Sequence, residues 1–286
     1  MYQLHLERVS FPEFFCKDDI NTNNHPKDPE VASLDYNTEI ERTRLTRWRD
    51  IINYPVLFEY TFTQDERNIF EGAIKLGTIT KRPSSLHKEE LDKMVVRLEN
   101  AMADIETPDS GWFFRFNGSS PKDGKRDFPL MSPHEIIEQV STSWRAFRCL
   151  AVQDCTIYLL EYIPTWDQSR ELRVFVHKGN VTAISPYSCY TLETPFTSMS
   201  DDQLTLIADS VVETIQEVLP QCIDSFGTDS FVCDIYINED LRTRIIEFNS
   251  FGYWLASGSA MFHWLKDKDK IYNTSRDIYF RIYESD

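Results

Sequence analysis

The sequence predicts an α+β protein built on antiparallel strands, and three observations carry that prediction. Phe231 to Gly252 (FVCDIYINEDLRTRIIEFNSFG) alternates apolar and polar residues, breaks at NEDLR, and alternates again, the pattern of a β-hairpin. ELRVFVH and VTAIS form a second hairpin across Lys178-Gly179-Asn180. Other stretches carry helical periodicity instead. HKEELDKMVVRLENAMADI places Leu91, Met94, Val95, Leu98, Met102 and Ile105 on one face, and SDDQLTLIADSVVETIQEVLP does the same with Leu204, Ile207, Val211, Ile215 and Val218.

Composition bounds what such a protein does. The 286 residues suffice for one large or two small domains, and 41% apolar with 13% aromatic residues supply a sizeable core. A net charge of −16 disfavours nucleic acid as the main partner, because phosphate contacts need a basic footprint. It is compatible with a basic protein partner, or with anionic substrates shielded by a metal. The six cysteines, at 16, 149, 155, 189, 222 and 233, form no C-x-x-C pair. With no recognisable signal peptide, they read as reduced thiols in a cytoplasmic protein. No H-x-x-x-H appears, so zinc is not expected, and no apolar run approaches the ~18 residues of a membrane span. Nine glycines leave little room for a glycine-rich phosphate loop.

Taken in order, MYQLHLERVSFPEFF reads as a strand or docked segment, and CKDDINTNNHPKDPEVASLDYN as a loop or linker. TEIERTRLTRWRDIIN reads as a short helix, YPVLFEYTF as a strand, and DERNIFEGAIKLG as a helix ending at Gly77. Trp112 to Asn117 reads as a strand. SPHEIIEQVSTSWRAF reads as one helix, opened by the capping residues Ser132 and Glu135 with Pro133 at its first position; Ile136, Ile137, Val140, Trp144 and Phe147 mark its core face. CTIYLLEYIP is a buried strand leading to Glu161, Ser200 and Gln203 cap the next helix, and DIYFRIYE is a last strand.

The first hairpin carries a candidate site. Side chains alternate faces along a strand, so Cys233, Ile235 and Ile237 share an apolar face with Ile246 and Phe248. The other face carries Asp234, Glu247 and Asn249. A turn centred near Asp240–Leu241 sets Asp234 opposite Glu247, with Cβ atoms roughly 5 Å apart. Two carboxylates that close repel unless a cation lies between them. Three oxygen-bearing side chains on one face suit a hard cation, Mg²⁺ above all, which commonly also holds phosphates. A solvated acidic face is the alternative.

A second candidate follows the strand at Trp112. Arg115 is delivered into a polar loop, GSSPKDGKRDF, that holds two serines, two lysines and an arginine, a composition suited to phosphate. It is not a Walker loop: Gly118 to Gly124-Lys125 is one residue too long, and Arg126 stands where Ser or Thr belongs.

Four motifs in order resemble the cell division cycle protein 123 family. FVCDIYI with IIEFNSFG is similar to the family's F-V-x-D-x-Y and I-D-F-N-P-F-G, with Glu247 for its Asp and Ser250 for its Pro. Arg115 to Asp123 resembles K-L-N-W-S-A-P-K-D, with Arg115 for its phosphate-contacting lysine and Gly118 for its Trp. Glu161 and Ile163 match C-E-L-I-P. ELRVFVH through Ser185 is similar to E-F-R-C-F-V-K-x-N-K-L-x-G-I-S-Q, whose arginine, here Arg173, faces the phosphates. An ion pair of Arg173 with Glu171 or Asp234 is the structural alternative. Phe262-His263-Trp264 and Phe280-Arg281-Ile282 echo shorter family segments.

The resemblance implies an ATP-grasp fold: two lobes with antiparallel sheets clamping ATP between them. The divisions expected are an N-terminal extension over 1–48, a first lobe over 49–160 and a second over 161–286. It implies ATP and Mg²⁺ as ligands. Asp234, Glu247 and Asn249 would hold the metal, and Arg115, Asn117, Ser119, Ser120, Lys122, Asp123, Glu161, Ile163, Arg173 and Ser185 the nucleotide. It also implies a chaperone that assembles eukaryotic translation initiation factor 2 through its gamma subunit. An ATP-grasp ligase, activating a carboxylate as an acyl phosphate, is the second reading.

Overall fold

Both hairpins read from the alternation form, and they lie side by side in one sheet. The computed structural model describes residues 2–10, 36–152, 154–252, 254–255 and 257–284. Its strands are β1 (Gln3–Val9), β2 (Phe58–Thr61), β3 (Trp112–Phe116), β4 (Thr156–Glu161), β5 (Glu171–His177), β6 (Asn180–Pro186), β7 (Phe231–Ile237), β8 (Thr243–Ser250) and β9 (Asp277–Tyr283). Its helices are α1 (Tyr36–Glu41), α2 (Leu45–Trp48), α3 (Gln64–Thr80), α4 (Lys88–Ala101), α5 (Pro133–Thr142), α6 (Trp144–Ala151), α7 (Asp201–Phe226) and α8 (Lys268–Ile271). The stretch read as a linker after Cys16 lies almost entirely outside the described residues. No helix among the described residues is long and apolar enough to cross a membrane.

The chain divides into two compact units, Met1–Asn53 with Asp167–Asp286, and Tyr54–Trp166. The first contains a six-stranded sheet in the order β1-β9-β6-β5-β7-β8. The hairpins pair antiparallel, and β9 runs parallel to both β6 and β1. The N-terminal strand is therefore an edge of this sheet. Residues Lys178 and Gly179 turn the β5–β6 hairpin with φ of 49° and 73°, a conformation that glycine adopts at no steric cost.

Helix α7 covers the apolar face. It opens on the expected capping box, Ser200 with Gln203, runs past Pro220, and stops where Gly227 turns left-handed at φ 66°. Phe226 packs edge-on to Phe231 and Phe248, at centroid distances of 5.8 and 5.4 Å. The opposite face carries Arg173, Phe175 and Asp234. Phe262 and Trp264, from the chain that follows β8, pack on Phe175 at 5.9 and 5.2 Å.

The β7–β8 hairpin differs from its expected register in one respect. Ile235 pairs with Ile245, and a bulge follows before Asp234 meets Glu247. The loop is closed by the Asn238 N–H donating to Arg242 O, at 3.0 Å, so the turn centres on Asp240 rather than between Asp240 and Leu241. The odd residue is absorbed as a bulge at Ile246. Ile245, 8% exposed, takes the apolar position expected for Ile246.

The second unit holds a three-stranded antiparallel sheet, β2-β4-β3, with α3 to α6 packed on one face. The core joins Phe114, Phe116 and Leu159 from the strands to Phe70, Leu98 and Ile137 from the helices. Two sequence expectations give way here. Helix α3 continues to Thr80, because Gly77 serves a close approach and not a helix end: a Cβ there would lie 2.1 Å from Ser141 O. The helix expected from Pro133 to Phe147 breaks at Ser143, whose side chain accepts from Ala146 N and so starts α6. The break turns Trp144 out of the core to 51% exposure, stacked on Phe147 at 4.9 Å.

Candidate functional site

Strand register aligns one row of polar side chains across the six-stranded sheet. Arg173 pairs with Ser185 on β6 and with Asp234 on β7, and Asp234 pairs with Glu247 on β8. On the other flank Phe280 pairs with Ile184, so Arg281 comes beside Ser185, and Glu7 pairs with Arg281. Laterally paired residues point to one face. The row thus reads Glu7, Arg281, Ser185, Arg173, Asp234, Glu247, with Asn249 two residues beyond Glu247 on the same face.

Asp234, only 2% exposed, is gripped by Arg173: Nε donates to Oδ1 at 2.9 Å and Nη2 to Oδ2 at 2.8 Å. The third guanidinium nitrogen, Nη1, donates to Gly258 O at 2.7 Å. The Tyr187 ring lies 4.8 Å from the guanidinium carbon. Asn249 Nδ2 donates to Asp234 Oδ2 at 3.3 Å and reaches Glu247 Oε1 at 3.5 Å. Burial pushes the Asp234 carboxyl above the ordinary carboxylate range and Glu247 adds to the rise, while Arg173 opposes it. Burial also disfavours the charge on Arg173, but Asp234 outweighs it and holds the guanidinium pKa above its usual value. The expected carboxylate pair is therefore present, and the ion pair of Arg173 with Asp234 is formed.

The oxygen set fits a hard cation. Asp234 Oδ1, which accepts from Arg173 Nε, keeps a second lone-pair direction, and Glu247 supplies a second carboxylate directly opposite. Ser185 is engaged elsewhere: its Oγ accepts from Met261 N at 3.3 Å.

The remaining predicted residues belong to the other unit. Arg115, 5% exposed, projects from the sheet face opposite the helices, beside its register partner Tyr158. Its guanidinium carbon lies 6.0 Å from the Tyr54 ring centroid. In the loop, Asn117 N and Gly118 N donate to the Asp154 carboxylate at 3.3 and 2.8 Å, and Ser119 O accepts from Phe116 N at 2.8 Å. Ser119 Oγ lies 3.3 Å from Cys149 Sγ, and Ser120 O accepts from Lys122 N at 2.9 Å. Lys122 is exposed. Two of the three cations in this loop are spent on helix α5. Lys125 Nζ donates to Glu138 at 2.6 Å, and Arg126 binds both Glu138 and Glu135.

Asp123 turns to the start of α6, where its carboxylate accepts from Ser143 Oγ at 2.5 Å and Trp144 N at 3.0 Å. Glu161, exposed at the end of β4, accepts from Ser110 Oγ at 3.1 Å, and Ile163 is 37% exposed. Sequence reasoning missed Arg281, Asp267, Glu7 and Tyr187. The available signal was a charge inside an apolar strand: Arg281 within DIYFRIY needs a buried partner.

Residues 150–286 match the D123 family. The fold is similar to that of Cdc123 from Schizosaccharomyces pombe, with a TM-score of 0.61 at 15% identity, covering 88% of this chain and 99% of that one. A C-terminally truncated form of the same yeast protein gives 0.60 at 15% identity, covering 87% and 98%. No curated protein matches the chain significantly by sequence. The expected resemblance is borne out in the match of residues 150–286 to the D123 family and in a fold of mixed helices and antiparallel sheets similar to that of Cdc123.

Proposed function

We propose that the face carrying Asp234, Glu247 and Asn249 binds Mg²⁺ together with the phosphates of ATP. On this reading the protein is an assembly chaperone for eukaryotic translation initiation factor 2, acting through its gamma subunit. The observation that carries the nucleotide part is the lateral pairing of Asp234 with Glu247 beside Arg173 on one sheet face. Two carboxylates paired laterally on one face repel, and a divalent ion between them relieves that repulsion. Mg²⁺ bound there supplies charge neutralisation for phosphate oxygens. Arg173 fixes Asp234 in place, and Asn249 links the two carboxylates. The chaperone part rests on the resemblance to the family over residues 150–286, and the net charge of −16 suits a basic partner surface.

Thermal unfolding with ATP, with and without Mg²⁺, tests the first part. Ligand at 100 times its dissociation constant stabilises by about 2.7 kcal/mol, and the rise should require Mg²⁺. A pull-down with the isolated C-terminal domain of the gamma subunit, beside an ADP-release assay, tests the second. Binding without turnover supports the chaperone. Substrate-dependent ADP release without binding supports a ligase and overturns it.

A further inference from the structure

A strap of chain from Ser257 to Asp267 lies on the charged face of the six-stranded sheet, and it is tied down by the polar row itself. Gly258 O accepts from Arg173 Nη1 at 2.7 Å, and Met261 N donates to Ser185 Oγ at 3.3 Å. The other fastening is Arg281, 8% exposed, whose guanidinium donates four ways. Nη1 reaches Met261 O at 3.0 Å and Asp267 Oδ2 at 2.9 Å, Nη2 reaches Asp267 Oδ1 at 2.8 Å, and Nε reaches Glu7 Oε2 at 2.9 Å. Its guanidinium carbon also sits 4.3 Å from the Phe262 ring centroid.

We infer that Arg281 is a positioning residue for Arg173, acting through this strap. Gly258 is three residues before Met261, and the segment is held by two buried residues, Ser259 at 1% and Met261 at 0% exposure, with Gly258 and Ala260 half-buried. Fixing the Met261 carbonyl fixes where the Gly258 carbonyl can lie. That carbonyl takes one edge of the Arg173 guanidinium. A planar fork held on one edge presents its Nε and Nη2 to Asp234 in a single orientation. Without the strap, Arg173 is free to turn about its side-chain torsions, and Asp234 loses its fixed partner. Glu7 makes the N-terminal strand part of the same device, since it anchors Arg281 from the sheet edge. Lysine cannot replace Arg281 here. One ammonium cannot reach Glu7, Met261 O and both Asp267 oxygens together.

The Arg173 Nε–H is a direct reporter. In the full chain without nucleotide it should give a protected ¹⁵N–¹H resonance, assigned by its loss in Arg173→Lys. Arg281→Gln and Arg281→Lys should broaden or abolish that resonance while the backbone amide spectrum stays dispersed. Should Arg281→Gln fail to fold, Ser185→Ala and Glu7→Gln loosen the strap and its anchor more gently, and each should weaken the protection. An unchanged Arg173 resonance in the folded variants overturns the inference, whether or not the protein binds nucleotide. A second arm rests on the function proposed above: Arg281→Gln should lower Mg²⁺–ATP affinity at least tenfold, and by no more when combined with Arg173→Gln than Arg173→Gln does alone. Losses that simply multiply overturn action through Arg173. A wild-type protein that binds no Mg²⁺–ATP overturns the proposed function, and the resonance alone then decides the inference.

Discussion

Arg173 and Asp234 face each other across β5 and β7 and share two hydrogen bonds, at 2.9 and 2.8 Å, in a setting that leaves them 7% and 2% exposed. A buried pair of this kind contributes little over an apolar pair, yet is costly to break from one side. Asp234→Ala leaves the guanidinium buried without its anion and should cost about 3–5 kcal/mol in urea unfolding. Asp234→Asn keeps an acceptor oxygen for Nε and should cost less. A loss below about 1 kcal/mol for Asp234→Ala would mean that water or another carboxylate takes over the guanidinium.

Asp267 should show its contribution through pH. Burial disfavours its carboxylate, but Arg281, the His263 N–H and Lys270 outweigh that and hold its pKa below the ordinary value. A carboxyl whose pKa is depressed in the folded state adds stability above its unfolded pKa, near 3.9, and loses it as pH falls through the folded value. Asp267→Asn should therefore be less stable than the parent at pH 7, and the two should converge below about pH 4. Urea titrations at both ends of that range measure the difference. A gap that persists at low pH would assign the effect to packing.

Asp123 separates helix capping from nucleotide contact. Its carboxylate accepts from Ser143 Oγ and from the amides of Trp144 and Arg145, at the electropositive start of α6. Asp123→Ala should cost about 1 kcal/mol, in the range of lost N-terminal caps. ATP affinity should be unchanged once the variant is folded. A weakened affinity at equal stability would return Asp123 to the nucleotide.

What could be read beforehand divides along the range of the interactions. Alternation and capping are local, so the hairpins, the strand at DIYFRIY and the capping box at Ser200–Gln203 follow from adjacent residues. The facing of Asp234 and Glu247 was legible because a hairpin couples register to its own turn, although the bulge at Ile246 was not. A five-residue loop and its compensating bulge leave the same partner opposite Asp234 as an even turn would. Nothing local showed that Gly77 meets Ser141 O, because that depends on how α3 packs on α5. Nor could sequence distance reveal Arg281 meeting Glu7, 274 positions away. Lys125 and Arg126 read as phosphate cations only until α5 brings Glu138 and Glu135 beneath them.

Glu247 offers the sharpest test of the metal. It stands opposite Asp234, and Asn249 Nδ2 lies between their oxygens at 3.3 and 3.5 Å. Arg173 commits two of its nitrogens to Asp234, and Glu247 brings a second carboxylate charge to the same face. Glu247→Gln removes that charge and keeps the shape. Without metal it should be at least as stable as the parent, since a repulsion is relieved and an amide still fits beside Asn249. With ATP present, the extra rise in melting temperature that Mg²⁺ brings should shrink sharply, because a neutral amide is a poorer ligand for a hard cation. Glu247→Asp keeps the charge on an arm one methylene shorter, and should retain part of the Mg²⁺-dependent rise. The order parent, Asp, Gln in that rise is the signature of a carboxylate ligand. A Gln variant that keeps the full Mg²⁺-dependent rise would remove Glu247 from the metal site and leave Asp234 with Asn249 as its only protein ligands on this face.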